Sequence, residues 1–253
     1  MCDQRLTLPG AVAVSRLRVY DGSASDGLPG GTPHVHLASA EAYLVLAGTG
    51  EVQSIDAGGY RSTTLTPGAL VSFRPGTVHR LINRGGLDIV TLMQNAGLPE
   101  AGDAVMTFDQ DALASPAAYA EAARLPVGDP AGDPAGDPAP IDAAVAARRD
   151  RALRGWAVLR AAADAGDPDE LHRFLGRAQA LVRARVPQWR RLVHDGVEEQ
   201  AAETRVLLAA IEVGNHDPLD VASLQAVHPS AGQERYGMCG RLTTWPIDGA
   251  WAA

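Results

Sequence analysis

Between Ala11 and Asn95 glycine and proline interrupt the sequence about every ten residues, and the runs between them are short. Those runs (Ala11–Tyr20, Tyr43–Leu46, Glu51–Ile55, Ala69–Phe73 and Asp88–Gln94) are rich in Val, Leu, Ile and Thr. The breaks fall at Gly30-Gly31, Gly48-Thr49-Gly50, Gly58-Gly59, Pro67-Gly68, Pro75-Gly76 and Gly85-Gly86. No helical segment intervenes, so this stretch can fold as an all-β sandwich or barrel and not as alternating strands and helices.

The character changes after Asn95. Asp109–Arg124 reads as a helix, followed by a tandem Gly-Asp-Pro-Ala repeat from Gly128 to Pro138 that can build no core and serves as a linker or exposed loop. Ile141–Ala165 is helical and stops at Gly166. Asp167-Pro168-Asp169-Glu170 has the order of an N-cap, a first-turn proline and an N3 glutamate. Leu171, Phe174, Leu175, Ala178, Leu181 and Val182 then recur at helical spacing, and a further helix covers Val197–Val213. Glu234–Trp251 returns to strand and turn character, as a tail that folds over the barrel mouth or completes its sheet. The expected organisation is a β-barrel over 1–108, a helix plus linker over 109–140, and a mostly helical region with a strand-like tail over 141–253.

Composition removes several function classes. All 22 basic residues are arginine, so Schiff-base lysines and phosphate-loop lysines are excluded. A net charge of −8 and a pI near 5.3 argue against general affinity for nucleic acid. No apolar run reaches the ~20 residues that span a bilayer, and no leader peptide is read at the N-terminus. Cys2 and Cys239 make neither a CxxC pair nor a disulfide framework, which fits free thiols in a reducing cytoplasm.

Two stretches carry chemistry. In Gly31-Thr-Pro-His34-Val-His36-Leu-Ala-Ser-Ala-Glu41-Ala-Tyr43, the two histidines share one face of a strand, and Glu41 follows a short bend. Gly68-Ala-Leu-Val-Ser-Phe-Arg74-Pro75-Gly76-Thr-Val-His79-Arg80-Leu-Ile-Asn83 supplies a third histidine from a strand able to lie beside the first pair. Three imidazoles and one carboxylate suit Fe, Mn, Ni, Co, Cu or Zn, and six-coordination leaves two positions for substrate or O₂.

In these residues the chain resembles the cupin superfamily. His34, His36, Glu41 and Gly48 match its first motif, Gly-x5-His-x-His-x3-4-Glu-x6-Gly, with the leading Gly replaced by Leu28. Gly68, Gly76, His79 and Asn83 match its second, Gly-x5-Pro-x-Gly-x2-His-x3-Asn, with Arg74 at the family proline and Pro75 one place on. The resemblance spans residues 11–95 and implies a six-to-eight-stranded jelly-roll barrel enclosing a divalent transition metal held by His34, His36, Glu41 and His79. It also implies a homodimer paired through outer sheets.

Around that centre Tyr43 is either an acid, a base or a substrate contact, or it is barrel packing. Glu41 shares the proton-moving role. Arg74 and Arg80 flank the His79 turn as receivers of an anion, although alternation puts Arg80 on the opposite face from His79, at a solvated outer position. Gln94 is a candidate for the pocket wall. His172, His194, His216 and His228 have no ligand spacing and read as structural or exposed. Arg148-Arg149-Asp150-Arg151 and Arg183…Arg191 read as a solvated helix face laced with ion pairs, without helix–turn–helix text. The expected function is a cytoplasmic metal-dependent enzyme of small-molecule chemistry, foremost an O₂-using dioxygenase. A sugar or sugar-phosphate isomerase or epimerase and a non-catalytic sensor module are the alternatives.

Overall fold

The computed structural model describes residues 5–126, 139–230 and 234–250; the Gly128–Pro138 repeat and Cys2 lie outside them. Seven strands precede the helices: β1 (Ala13–Val19), β2 (His34–His36), β3 (Glu41–Asp56), β4 (Gly59–Leu65), β5 (Leu70–Phe73), β6 (Val78–Met93) and β7 (Ala104–Met106). The helices are α1 (Pro116–Ala123), α2 (Ala139–Asp164), α3 (Asp169–Val182), α4 (Val186–Val193) and α5 (Glu199–Glu212), and β8 (Arg235–Tyr236) and β9 (Gly240–Thr244) follow them. The result is an antiparallel β-barrel with helices after it, as the sequence pattern requires. No described helix is long and apolar enough to cross a membrane.

The two longest strands organise the barrel. β3 and β6 run antiparallel from the Glu41–Met93 pair to the Ile55–Val78 pair, with register shifts between Val45 and Gly50. β1 and β5 flank the first half of this ribbon, while β4 and β2 flank the second. Gly48-Thr49-Gly50 and Gly85-Gly86 were expected to be turns; instead the strands continue through them as bulges. Gly48 has φ +75° and a Cβ on it would lie 2.1 Å from the Gly86 carbonyl oxygen, so glycine is required where the two strands bend together.

The tail strand β9 pairs with β1, from Ser15–Thr244 to Val19–Gly240, and β8 pairs with β9. The tail therefore completes the sheet.

Alternation separates two cores. Leu17, Val45, Val52, Leu81 and Ile89 fill the barrel interior, joined by Cys239 from the tail. Val35, Ile55, Val78 and Val105 point the other way and pack against Phe108, Trp156, Leu159, Phe174 and Trp189. Burying each large side chain contributes roughly 1.5–3 kcal/mol, so the helices are held to the barrel wall by a second core.

That second core overturns the solvated position expected for Arg80. The side chain is fully buried, and its Nη1 donates to Asp26 Oδ2 at 2.5 Å. Arg149 of α2 is also buried and donates to the carbonyls of Gly22, Ser23 and Gly30, tying the helix to the loop before β2. Period-two alternation does put Arg80 outside the barrel, but a helix covers that outside. Farther along α2, Arg151 forms an ion pair of the expected kind with Asp109; Arg154 pairs with the same carboxylate, and Arg173 on α3 pairs with Glu170. The helix expected over Asp109–Arg124 is shorter: it starts at Pro116, where the Ser115 hydroxyl accepts from the Ala118 N–H.

Candidate metal centre

β2 delivers two histidines because Val35 between them faces the helical core and anchors the strand, leaving His34 and His36 on the inner face. His34 is the register partner of His79 on β6, so two of the imidazoles are neighbours by strand pairing. Glu41 opens β3 after the bend at Leu37-Ala38. The His34 and His79 ring centroids are 4.4 Å apart, His34 and His36 are 5.2 Å apart, and His36 and His79 are 6.1 Å apart. Ligand atoms of His34, His36 and Glu41 all lie within 4.8 Å of one another. His79 Nε2 joins this group through Glu41 Oε2, at 3.1 Å, while His36 Nε2 lies 3.5 Å from the same oxygen.

Each imidazole is oriented from behind by its Nδ1. His34 Nδ1 donates to the Thr32 carbonyl at 2.9 Å and His79 Nδ1 to the Thr77 carbonyl at 3.0 Å. His36 Nδ1 lies 3.3 Å from the Asp103 carboxylate, which also accepts the backbone N–H groups of Leu37, Ala38 and Ser39. A carbonyl or carboxylate acceptor at Nδ1 fixes the proton there and leaves a lone pair on Nε2.

The consequence at Glu41 is specific. His79 Nε2 and Glu41 Oε2 are both acceptors, both buried, and neither has a hydrogen-bond partner. Two lone pairs facing one another across a short gap need a positive charge between or beside them. Burial opposes the charge on Glu41, but the adjoining imidazoles of His79, His36 and His34 hold its pKa at about 2. Burial, with His79 and His36 beside it, keeps His34 well below the usual imidazole range. For His36 burial works in the same direction, but the Asp103 hydrogen bond and the Glu41 and Asp103 charges outweigh it and raise its pKa. Three imidazoles and one carboxylate are the donor chemistry of a divalent transition metal, and the residues present fit one.

Beside these residues lies a cavity of about 510 Å³ whose wall includes His34, His36, Glu41 and Tyr43. The tail and α2 close it: Tyr236, Met238, Cys239 and Leu242 face it, as do Ile141 and Arg148. Tyr43 is buried, next to Glu41, and burial together with the Glu41 charge raises its pKa well above the ordinary value. The Cys239 thiol is pushed up to about 12 by burial and the Glu41 charge.

Other expected residues lie elsewhere. Arg74 is exposed and outside the cavity, and Gln94 is exposed, its side-chain oxygen accepting from the Ala40 N–H. Arg80 belongs to the outer core, as described above. His172, His194, His216 and His228 are all exposed. Asp103 and Arg148 escaped the sequence reading. A lone Asp between Gly102 and Ala104 carries no spacing signal, although an acid shortly after the last motif strand is the position to search for a histidine's orienting partner. Arg148 sat in a run read as solvated; it donates instead to the Ala123 and Gly237 carbonyls.

The family model "Cupin domain" matches residues 26–93. Similar solved structures include a Klebsiella pneumoniae protein with a double-stranded beta-helix domain, at 20% identity and TM-score 0.28, covering 35% of this chain and 70% of that one. Another is Pac13, described as a nucleoside dehydratase, at 16% identity and TM-score 0.30, covering 39% and 69%. Oxalate decarboxylase from B. subtilis is a third, at 20% identity and TM-score 0.29, covering 33% of this chain and only 21% of that one. No curated protein matches the chain. Two histidine motifs in order, the antiparallel barrel that brings them together and the family match agree over one stretch: residues 26–93 are a cupin domain.

Proposed function

We propose that the protein is a metal-dependent enzyme acting on a small organic molecule, and that the reaction is dioxygenation. The observation that carries the reading is the partnerless pair of buried acceptors, His79 Nε2 and Glu41 Oε2, 3.1 Å apart beside a cavity lined by His34 and His36. A redox-active divalent metal held by His34, His36, Glu41 and His79 would supply a site where O₂ and a chelating substrate meet. In a dioxygenation both oxygen atoms of O₂ enter the organic product, so no outside reductant is needed. The protein's own contribution is order and exclusion. Asp103 and the Thr32 and Thr77 carbonyls fix the imidazoles, and Leu17, Met93 and Leu242 give the cavity an apolar wall that limits water.

A second reading, Lewis-acid isomerisation or epimerisation, has its own support in Tyr43. A buried phenol that keeps its proton beside Glu41 is a donor suited to a carbonyl or enolate oxygen. The expected homodimer belongs to the proposal as well, supported by the exposed leucines Leu44, Leu46 and Leu70 on the outer face of β3 and β5, and sizing in solution tests it.

Metal analysis of protein purified without added metal, followed by O₂-uptake measurements across a panel of catechols, thiols and hydroxy-ketones, tests the assignment. Iron or another redox metal with substrate-dependent O₂ uptake supports dioxygenation. Zinc with no uptake overturns it, and solvent-deuterium incorporation next to a carbonyl then marks the isomerase.

A further inference from the structure

Register across the sheet places side chains of neighbouring strands in rows on the barrel's inner face. The row at Glu41 continues to Met93 of β6 and Ala13 of β1. Two residues along, Tyr43 pairs with Thr91 and Thr91 with Ser15. The next row, Val45, Ile89, Leu17 and Leu242, is wholly apolar. Ser15 pairs in turn with Thr244 of β9, so four hydroxyl-bearing side chains form one polar step between the carboxylate row and an apolar floor, and three of them, Tyr43, Thr91 and Ser15, face the cavity.

All three are buried: Ser15 and Thr91 are each 6% exposed and Tyr43 is 1% exposed. All three line the cavity. Thr91 Oγ1 has no hydrogen-bond partner, and the inward residues on either side of it along β6, Ile89 and Met93, are apolar. A buried hydroxyl without a partner costs free energy that valine, its near isostere, would avoid. Packing alone therefore does not account for threonine here, whereas a ligand oxygen in the cavity does.

From this geometry, and resting on the metal-enzyme reading above, we propose that Ser15, Thr91 and Tyr43 form a hydroxyl shelf that binds an oxygen substituent of the substrate. The shelf lies two residues, about 7 Å, along β3 from Glu41. It selects small molecules with a chelating group at one end and a hydroxyl or carbonyl oxygen at the other, with the apolar body against Leu17 and Leu242.

Two hydroxypyranones separate the parts of this proposal. Kojic acid and allomaltol chelate metal through the same ketone and hydroxyl oxygens. They differ in a single hydroxyl on the far side of the ring, which kojic acid has and allomaltol lacks. With cobalt(II)-loaded full-length protein, absorption titration is expected to show kojic acid binding about 3- to 10-fold more tightly than allomaltol. In Thr91→Val that preference falls below about 2-fold while cobalt affinity is unchanged, and Ser15→Ala gives a smaller loss in the same direction. The apo Thr91→Val protein melts at the same temperature or higher, because it loses a hydroxyl that had no partner.

Cobalt uptake with equal binding of the two chelators, with no binding of either, or with a preference that survives Thr91→Val overturns the shelf alone. Absence of cobalt uptake overturns the metal reading and the shelf with it. A lower melting temperature for the apo variant assigns the hydroxyl a structural role and overturns the shelf.

Discussion

Asp103 Oδ2 lies 3.3 Å from His36 Nδ1, and the same carboxylate accepts three consecutive backbone N–H groups, from Leu37, Ala38 and Ser39. One side chain thus fixes both the ring of a candidate ligand and the bend that brings Glu41 back toward it. Burial opposes the charge on Asp103, but the His36 and backbone contacts dominate and lower its pKa.

Replacing Asp103 by Asn keeps the shape and removes the negative charge behind His36. Metal affinity is expected to fall about 10- to 100-fold, measured by competition with a chromophoric chelator. Asp103→Ala adds the loss of the bend's three backbone acceptors, so it should also lower the unfolding temperature. If Asp103→Asn leaves metal affinity untouched, the carboxylate is a loop clamp only.

Asp109 supplies a pH signature away from the centre. Its carboxylate pairs with Arg151 and Arg154, and the Arg151 hydrogen bond leads the interactions that lower its pKa to about 2. An unfolded-state aspartate titrates near pH 4, so the pair's contribution is complete above that pH and is lost as pH falls from about 4 to about 2. Because the pair is partly solvent-exposed, the effect is at most about 1 kcal/mol. Urea unfolding of wild type and Asp109→Asn should differ by that amount at pH 7 and converge toward pH 2; a constant gap would refute the assignment.

The barrel and its histidines were legible in the sequence because their signals are local. His34-Val35-His36 states its own face, and Gly76–His79 states a tight turn before a strand. The length of β3 and β6 was not legible, because Gly48 and Gly85-Gly86 read as turns until each is seen to make room for the other across the ladder. Arg80 and Arg149 were misplaced for a related reason. Alternation tells which side of a strand a residue occupies, and only tertiary packing tells whether that side is wet. Asp103, Thr91 and Arg148 act through partners more than ten residues away, where no spacing rule reaches.

The Arg80–Asp26 pair gives a test of that hidden outer face. Arg80 is fully buried and its Nε and Nη2 have no partner, so Asp26 is what balances its charge. Removing only the acid leaves an uncompensated buried guanidinium. Asp26→Ala is therefore expected to cost about 3–5 kcal/mol, whereas the double replacement Asp26→Ala with Arg80→Leu should recover most of it. Chemical denaturation of the two variants decides; equal losses would show that the acid contributes nothing to the pair.

The last prediction concerns the tail as a wall of the cavity. Gly31 packs so closely on Cys239 that a Cβ there would lie 2.7 Å from the Cys239 Cα and Sγ. The Thr32 N–H donates to the Met238 carbonyl and the Tyr20 N–H to the Cys239 carbonyl, so the strap is stitched down on both sides of that contact. Gly31→Val pushes directly against the strap, and overpacking of this kind costs about 1–3 kcal/mol. The ligand cluster lies on β2, β3 and β6, whereas the cavity's far wall is Tyr236, Met238 and Cys239. Gly31→Val should therefore retain cobalt while losing affinity for a bound chelator, and it should expose Cys239 to thiol reagents that the wild-type protein resists. Retained chelator affinity with an unreactive Cys239 would mean that the strap yields without opening the cavity, and that the tail's part in the site is dispensable.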